Sequence, residues 1–144
     1  MLEMDFYIIN EEEAVTGYEL GSVEIKSYQC TYTLNNSRKY FMIFLTITDL
    51  LDGIYSFYKS IEKRKRIICA DSSFYFEFVK NRDETIAFYA MDTYMGDFES
   101  GYFINKLYSS CKYFYKKYEE KLQLGNPVKK DLEYTIKKME SLIC

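Results

Sequence analysis

Histidine is absent from the 144 residues, which removes imidazole as general base, as zinc ligand and as the central member of a hydrolytic triad. The six glycines are scattered singly, so no G-x-G-x-x-G or G-x-x-x-x-G-K-[ST] spacing offers a nucleotide cradle. Cys30, Cys69, Cys111 and Cys144 stand more than thirty residues apart, leaving no C-x-x-C pair for zinc or thiol exchange. They read as free thiols, mostly small buried hydrophobes. A cysteine nucleophile would lack its usual histidine partner, and Cys30 and Cys111 fall on apolar faces.

Long apolar runs are also missing. The longest, Phe41 to Leu45, is far short of the ~20 residues a helix needs to span a bilayer. The N-terminus, MLEMDFYIINEEE, has only acidic charges where a secretory signal would be basic. A cytoplasmic location and no membrane partner are the expectation.

What is present suits one folded domain over residues 1–144: 48% apolar residues, 28% charged and a single proline. The net charge of −3 is uneven, with nine Asp/Glu against four Lys/Arg in residues 1–60 and thirteen against fifteen in 61–144. An acidic N-terminal half repels a phosphate backbone and suits a basic protein partner, or serves solubility alone.

Alternation at Tyr28, Cys30, Tyr32 and Leu34 predicts a strand over 17–34, with a phase shift near Lys26 that suggests a bulge or bend. After turn residues Asn35, Asn36 and Ser37, YFMIFLTI at 40–47 is apolar on both faces and reads as a central strand. A helix is expected over 49–63, capped by Thr48 or Asp49, with KRKR at 63–66 meeting the negative end of its dipole. Ile67 to Ala70 reads as an edge segment, FYFEFVK and TIAFYAM as a hairpin, and MDTYMGD at 91–97 as a loop. A long helix should run from Phe98 to Leu124 and a last one from Pro127, capped by Asn126. The class is α+β: a mostly antiparallel sheet of about five strands against a mid-chain helix and two C-terminal helices.

CKYFYKKYEEK at 111–121 looks like a nucleic-acid stacking motif. At ~100° per residue, however, Ile104, Leu107, Tyr108, Cys111, Phe114, Tyr115, Tyr118 and Leu122 form one stripe. Lysines and glutamates share the other arc, leaving Tyr113 as its only ring. A core stripe with no nucleic-acid partner is the expectation.

Carboxylates are the remaining chemistry. Asp49 and Asp52 lie three apart, and Asp92, Asp97 and Glu99 surround the 91–97 segment, so a carboxylate-based metal enzyme is one reading. Acidic residues at helix starts explain both sets more simply. Glu77 and Lys80 are one residue too far apart for an E-x-K nuclease motif. No enzyme activity, cofactor or metal is expected. Sixteen tyrosines remain the oddest feature, and Tyr18, Tyr94, Tyr102 and Tyr113 are left after the faces are assigned. They suit a recognition surface or reflect a genome that uses Tyr freely.

KYFMIFLTITDLLDGIYSFY, followed by DSSFYFEF and TIAFYAM, resembles small bacterial immunity proteins of polymorphic-toxin and contact-dependent growth inhibition systems over residues 40–91. The likeness rests on a strand, a D-L-L-x-G-I helix and a D-S-S-F hairpin. It implies a protein that blocks a toxin, and carries over no catalytic residue. With the residue reading it makes Glu11, Glu12, Glu13, Tyr18, Glu19, Tyr94 and Asp97 the partner-binding set, the carboxylates steering a basic toxin domain and the rings supplying contact. A structural subunit of a homo-oligomer, with the spare tyrosines facing a second copy, is a further reading.

Overall fold

Leu2, Met4, Phe6 and Ile8 alternate with Glu3, Asp5 and Tyr7, and in the computed structural model, which describes residues 1–10, 15–34 and 39–143, they form β1 (Leu2–Ile8). The described elements continue as β2 (Leu20–Ser27), β3 (Thr31–Thr33), β4 (Phe41–Met42), α1 (Ile43–Lys59), β5 (Arg64–Ile68), β6 (Tyr75–Lys80), β7 (Thr85–Ala90), β8 (Thr93–Glu99), α2 (Ser100–Tyr118) and α3 (Pro127–Glu140). The architecture is α+β, with two antiparallel sheets. In the first, β2 is flanked by β1 on one side and by β3 and β4 on the other; the second runs β5-β6-β7-β8.

The strands among the described residues therefore number eight rather than about five, for local reasons. The stretch read as one strand over 17–34 is a hairpin. Its turn is closed by Ser27 N–H donating to Cys30 O (2.9 Å), with Ser27 Oγ accepting from Gln29 N (3.1 Å). The run at 40–47 is strand only at Phe41 and Met42, and is helix from Ile43. An all-apolar run fits a buried strand or a buried helix equally well, and here helical burial wins: Ile43, Phe44, Ile47, Leu50, Leu51, Ile54 and Phe57 are all fully enclosed.

Neither Thr48 nor Asp49 caps α1; both lie inside it. The N-cap is Met42, with no side-chain bond. Its entry is held by backbone instead, Met42 N–H donating to Ala70 O (3.0 Å) and Ile43 N–H to Glu19 O (3.1 Å). The helix ends at Lys59, so KRKR lies beyond it, and its last three residues, Arg64, Lys65 and Arg66, start edge strand β5. Gly53 lets α1 approach β5, since a methyl group there would overlap the Ile67 side chain.

At the C-terminal end, Glu99 caps α2 by accepting from Gly101 N (2.9 Å) and Tyr102 N (2.8 Å). Asn126 caps α3 through Val128 N (2.8 Å), with Pro127 at the first turn. The stripe expected on the long helix is core: Ile104, Leu107, Tyr108, Cys111, Phe114, Tyr115 and Tyr118 on α2, which ends at Tyr118, and Leu122 just beyond it are all buried. The lysines between them are occupied locally. Lys112 lies over the Tyr108 ring (5.5 Å), Lys121 over Tyr118 (5.6 Å), and Lys116 pairs with Glu119 (2.9 Å). Buried Lys129 donates to Glu119 O (3.0 Å) and Leu122 O (3.1 Å), closing the end of α2. One buried cluster, from Leu2 to Met139, joins both sheets and all three helices.

Candidate interaction face

The second sheet has one dry side and one wet side. Ile67, Phe76, Phe78, Ile86, Phe88, Ala90, Met95 and Phe98 point into the core, and Phe78 and Phe88 both contact Phe103 of α2 (5.6 and 5.1 Å). The alternate residues form the outer side. Strand register arranges them in rows: Arg64, Val79, Ala87, Asp97; then Arg66, Glu77, Tyr89, Tyr94; with Ile68 beside Tyr75 at one end and Thr85 beside Glu99 at the other. Arg64, Arg66, Ile68, Tyr94, Asp97 and Glu99 are exposed, and Tyr75, Glu77, Val79 and Tyr89 half-buried. Among the described residues no helix lies on this side, and Ile68 is 63% exposed.

A bulge decides which way Tyr94 faces. Phe88 pairs with Gly96 and Tyr89 with Tyr94, so Met95 is an extra residue on β8. Simple alternation from buried Phe98 would turn Tyr94 inward; the insertion keeps Met95 in the core and turns Tyr94 outward. Gly96 takes φ +131°, and a Cβ there would sit 2.7 Å from the Tyr28 ring. Tyr28 reaches across from the first sheet: its Oη accepts from Asp97 N (2.8 Å), and its ring meets Phe98 edge-on (5.7 Å). Cys30 Sγ lies 3.8 Å from Tyr94 O. These two side chains occupy the outer edge of β8, which would otherwise offer unpaired backbone groups. The segment expected to be a loop is thus an edge strand, its alternation masked by the bulge.

The rings are held in place by neighbours. Tyr75 Oη donates to Asp92 Oδ1 (2.7 Å), and Arg66 stacks on the Tyr75 ring (4.0 Å) while pairing with Glu77 (3.3 Å). The Tyr89 and Tyr94 ring centroids are 5.4 Å apart. Desolvation and hydrogen bonds with Asp97 and Tyr28 push the Tyr94 phenol above its ordinary value, and the bond to Asp92 raises Tyr75 likewise. Both phenols therefore stay neutral at physiological pH and keep their hydrogen-bonding protons.

Of the seven residues in the sequence-derived set, Tyr94 and Asp97 fall on this face. Glu11, Glu12 and Glu13 lie outside the described residues. Tyr18 and Glu19 sit at the far end of β2 from Tyr28, roughly 30 Å away at ~3.3 Å per residue. Glu19 is spent internally, its carboxylate accepting from Thr16 N (2.8 Å), Thr16 Oγ1 (3.0 Å) and Gly17 N (2.9 Å). Partial burial alone would raise this carboxyl; those hydrogen bonds outweigh it and hold it below its ordinary value. Sequence reasoning missed Ile68, Tyr75, Val79 and Tyr89. The polar partners in their alternation were the available signal, but alternation does not reveal whether the second face is covered.

The carboxylates do not converge. Asp52 accepts from Thr135 Oγ1 (3.2 Å) and pairs with Lys138 (2.7 Å) between α1 and α3. Asp49, one turn away, is raised by desolvation and by the Asp52 charge. Asp92 lies in the turn between β7 and β8, and Asp97 on β8. Among the described residues no group of three or more His, Cys, Asp or Glu is placed to hold a metal ion. Three shallow concavities of about 400, 540 and 560 Å³ are lined by none of these four aspartates. Cys69 and Cys111 are buried, which raises both thiols. No described helix is long and apolar enough to cross a membrane.

Comparison with protein-family models, with curated proteins and with solved structures returns no match.

Proposed function

We propose that the chain is a non-catalytic protein-binding module that recognises its partner through the outer face of the β5–β8 sheet. The observation that carries this reading is the set of rings on that face held by neighbours: Tyr75 bonded to Asp92, Tyr94 bonded to Asp97, and Tyr89 in ring contact with Tyr94, flanked by Ile68 and Val79. Tyr side chains held in advance bring large contact area at low entropic cost, and rigid aromatic anchors dominate interface energies. Four strands ~4.8 Å apart, each about six residues long, give a platform of roughly 400 Å². A standard interface covers about 800 Å² per partner, so flanking segments such as Tyr28 would contribute.

The class of partner follows from the resemblance: a cytoplasmic immunity protein that covers the active or substrate-binding surface of a toxin. Charge steering, assigned from the sequence partly to Glu19, passes in this reading to exposed Asp97, because Glu19 lies at the far end of β2 from this face.

The test is growth protection. The reading requires a toxin gene next to this one; cells producing its toxic domain should survive when the chain is co-expressed, and the Tyr89→Ala/Tyr94→Ala double variant should fail to protect while keeping its thermal transition within a few degrees. Death with the wild-type chain, or equal protection by the folded double variant, would remove the proposal.

A further inference from the structure

We infer that the outer face of the β5–β8 sheet also closes on a second copy of the chain, through reciprocal contacts between Arg64 and Asp97. This rests on reading that face as a protein interface. Most of its charged groups have a polar partner within the molecule: Arg66 pairs with Glu77, Asp92 and Asp97 are hydrogen-bonded to Tyr75 and Tyr94, and the Glu99 carboxylate turns back to cap α2. Arg64 and Asp97 are exposed and have no ion-pair partner among the described residues. They occupy opposite ends of one row, Arg64 on edge strand β5 and Asp97 on edge strand β8.

That placement selects one symmetry. A two-fold axis in the interface parallel to the strands exchanges left and right while keeping the level along each strand. It lays β5 over the partner's β8, so each Arg64 faces the Asp97 of the other copy, Val79 faces Ala87, and Arg66 approaches Tyr94. An in-plane axis across the strands would stack β5 on β5 and set arginines against arginines. Edge-to-edge pairing meets basic side chains on both copies at β5 and the Tyr28 and Cys30 cover at β8.

Sheets pack ~10 Å apart and about 30° out of line, which displaces the sheet edges, roughly 7 Å from the centre, by about 4 Å. An arginine facing an aspartate spans that separation. About 800 Å² would be buried in total, below the ~1,200 Å² of stable complexes, so the dimer is weak and yields to a better-fitting partner on the same face.

Sedimentation equilibrium from about 5 to 500 µM tests this. The wild-type chain should show a reversible monomer–dimer equilibrium with Kd of order 10–100 µM, weakened by salt. R64E and D97R should each weaken it at least about tenfold, because each sets like charges together twice. Mixing the two variants should restore dimers, since both charge pairs are then complementary. A wild-type chain monomeric throughout, a dimer that survives in both variants, or a mixture no better than its components would overturn the inference. The growth-protection result is independent: protection without self-association sinks only this inference, and self-association without protection sinks only the proposed function.

Discussion

Gly96→Ala tests the link between backbone geometry and the interaction face. Two costs arise from one added methyl. At φ +131° an L-residue is strained, at of order 1–3 kcal/mol. The new Cβ would also lie 2.7 Å from the Tyr28 ring and 2.9 Å from its hydroxyl, forcing the ring away. Tyr28 would then lose its bond from Asp97 N and its edge contact with Phe98, together about 1–2 kcal/mol. The expected loss is about 3 kcal/mol, measured by urea unfolding of the wild type, Gly96→Ala, Tyr28→Ala and the double variant. In the Tyr28→Ala background the glycine substitution should cost less by about 1–2 kcal/mol, because only backbone strain remains. Strict additivity would refute the packing account of Tyr28, and an unaffected Gly96→Ala protein would refute the bulge.

Glu19→Gln should remove about 1–2 kcal/mol at pH 7 and flatten the acid limb of the stability curve. The folded Glu19 carboxyl lies below its ordinary value of 4.5, so its contribution is complete above that pH and is lost as pH falls through the folded value; an unchanged acid limb would dismiss it. Asp49 is shifted the other way, and Asp49→Asn should leave stability at pH 7 unchanged or raise it by up to about 0.5 kcal/mol, whereas a marked loss would contradict the repulsion by Asp52. Gly53→Val should destabilise by about 2–3 kcal/mol, with part recovered by Ile67→Ala; no recovery would place the clash elsewhere. In the native protein a thiol reagent followed by peptide mapping should label half-exposed Cys30 well before Cys69 or Cys111.

The elements legible in the sequence carry their own local signals. Asn126-Pro127 announces α3, the 3.6-residue spacing of Ile104 through Tyr118 announces the buried face of α2, and Phe76 and Phe78 alternating with Glu77 and Val79 announce β6. Elements set by tertiary contact were not legible. The start of α1 has no capping side chain and depends on carbonyls of Glu19 and Ala70, distant in the chain, so its apolar first turns look like a strand. KRKR suits a helix end as well as it suits a charged edge strand, and only pairing with β6 separates the two. At the candidate site, Tyr94 and Asp97 stood out as unassigned polar and aromatic residues. Tyr75 and Tyr89 were hidden because a half-buried tyrosine in an alternating strand reads the same on a covered face and on an open one.

Hydroxyl-radical footprinting of the sixteen tyrosines, with and without a toxin domain from which the chain protects cells, addresses the central claim most directly. At a dilution that keeps the chain monomeric, Tyr75, Tyr89 and Tyr94 should become protected on binding, while Tyr113 and Tyr134, 74% and 69% exposed away from the sheet, should react as before. Protection of Tyr113 or Tyr134 with Tyr75, Tyr89 and Tyr94 unchanged would move the recognition surface to the helices and contradict the account.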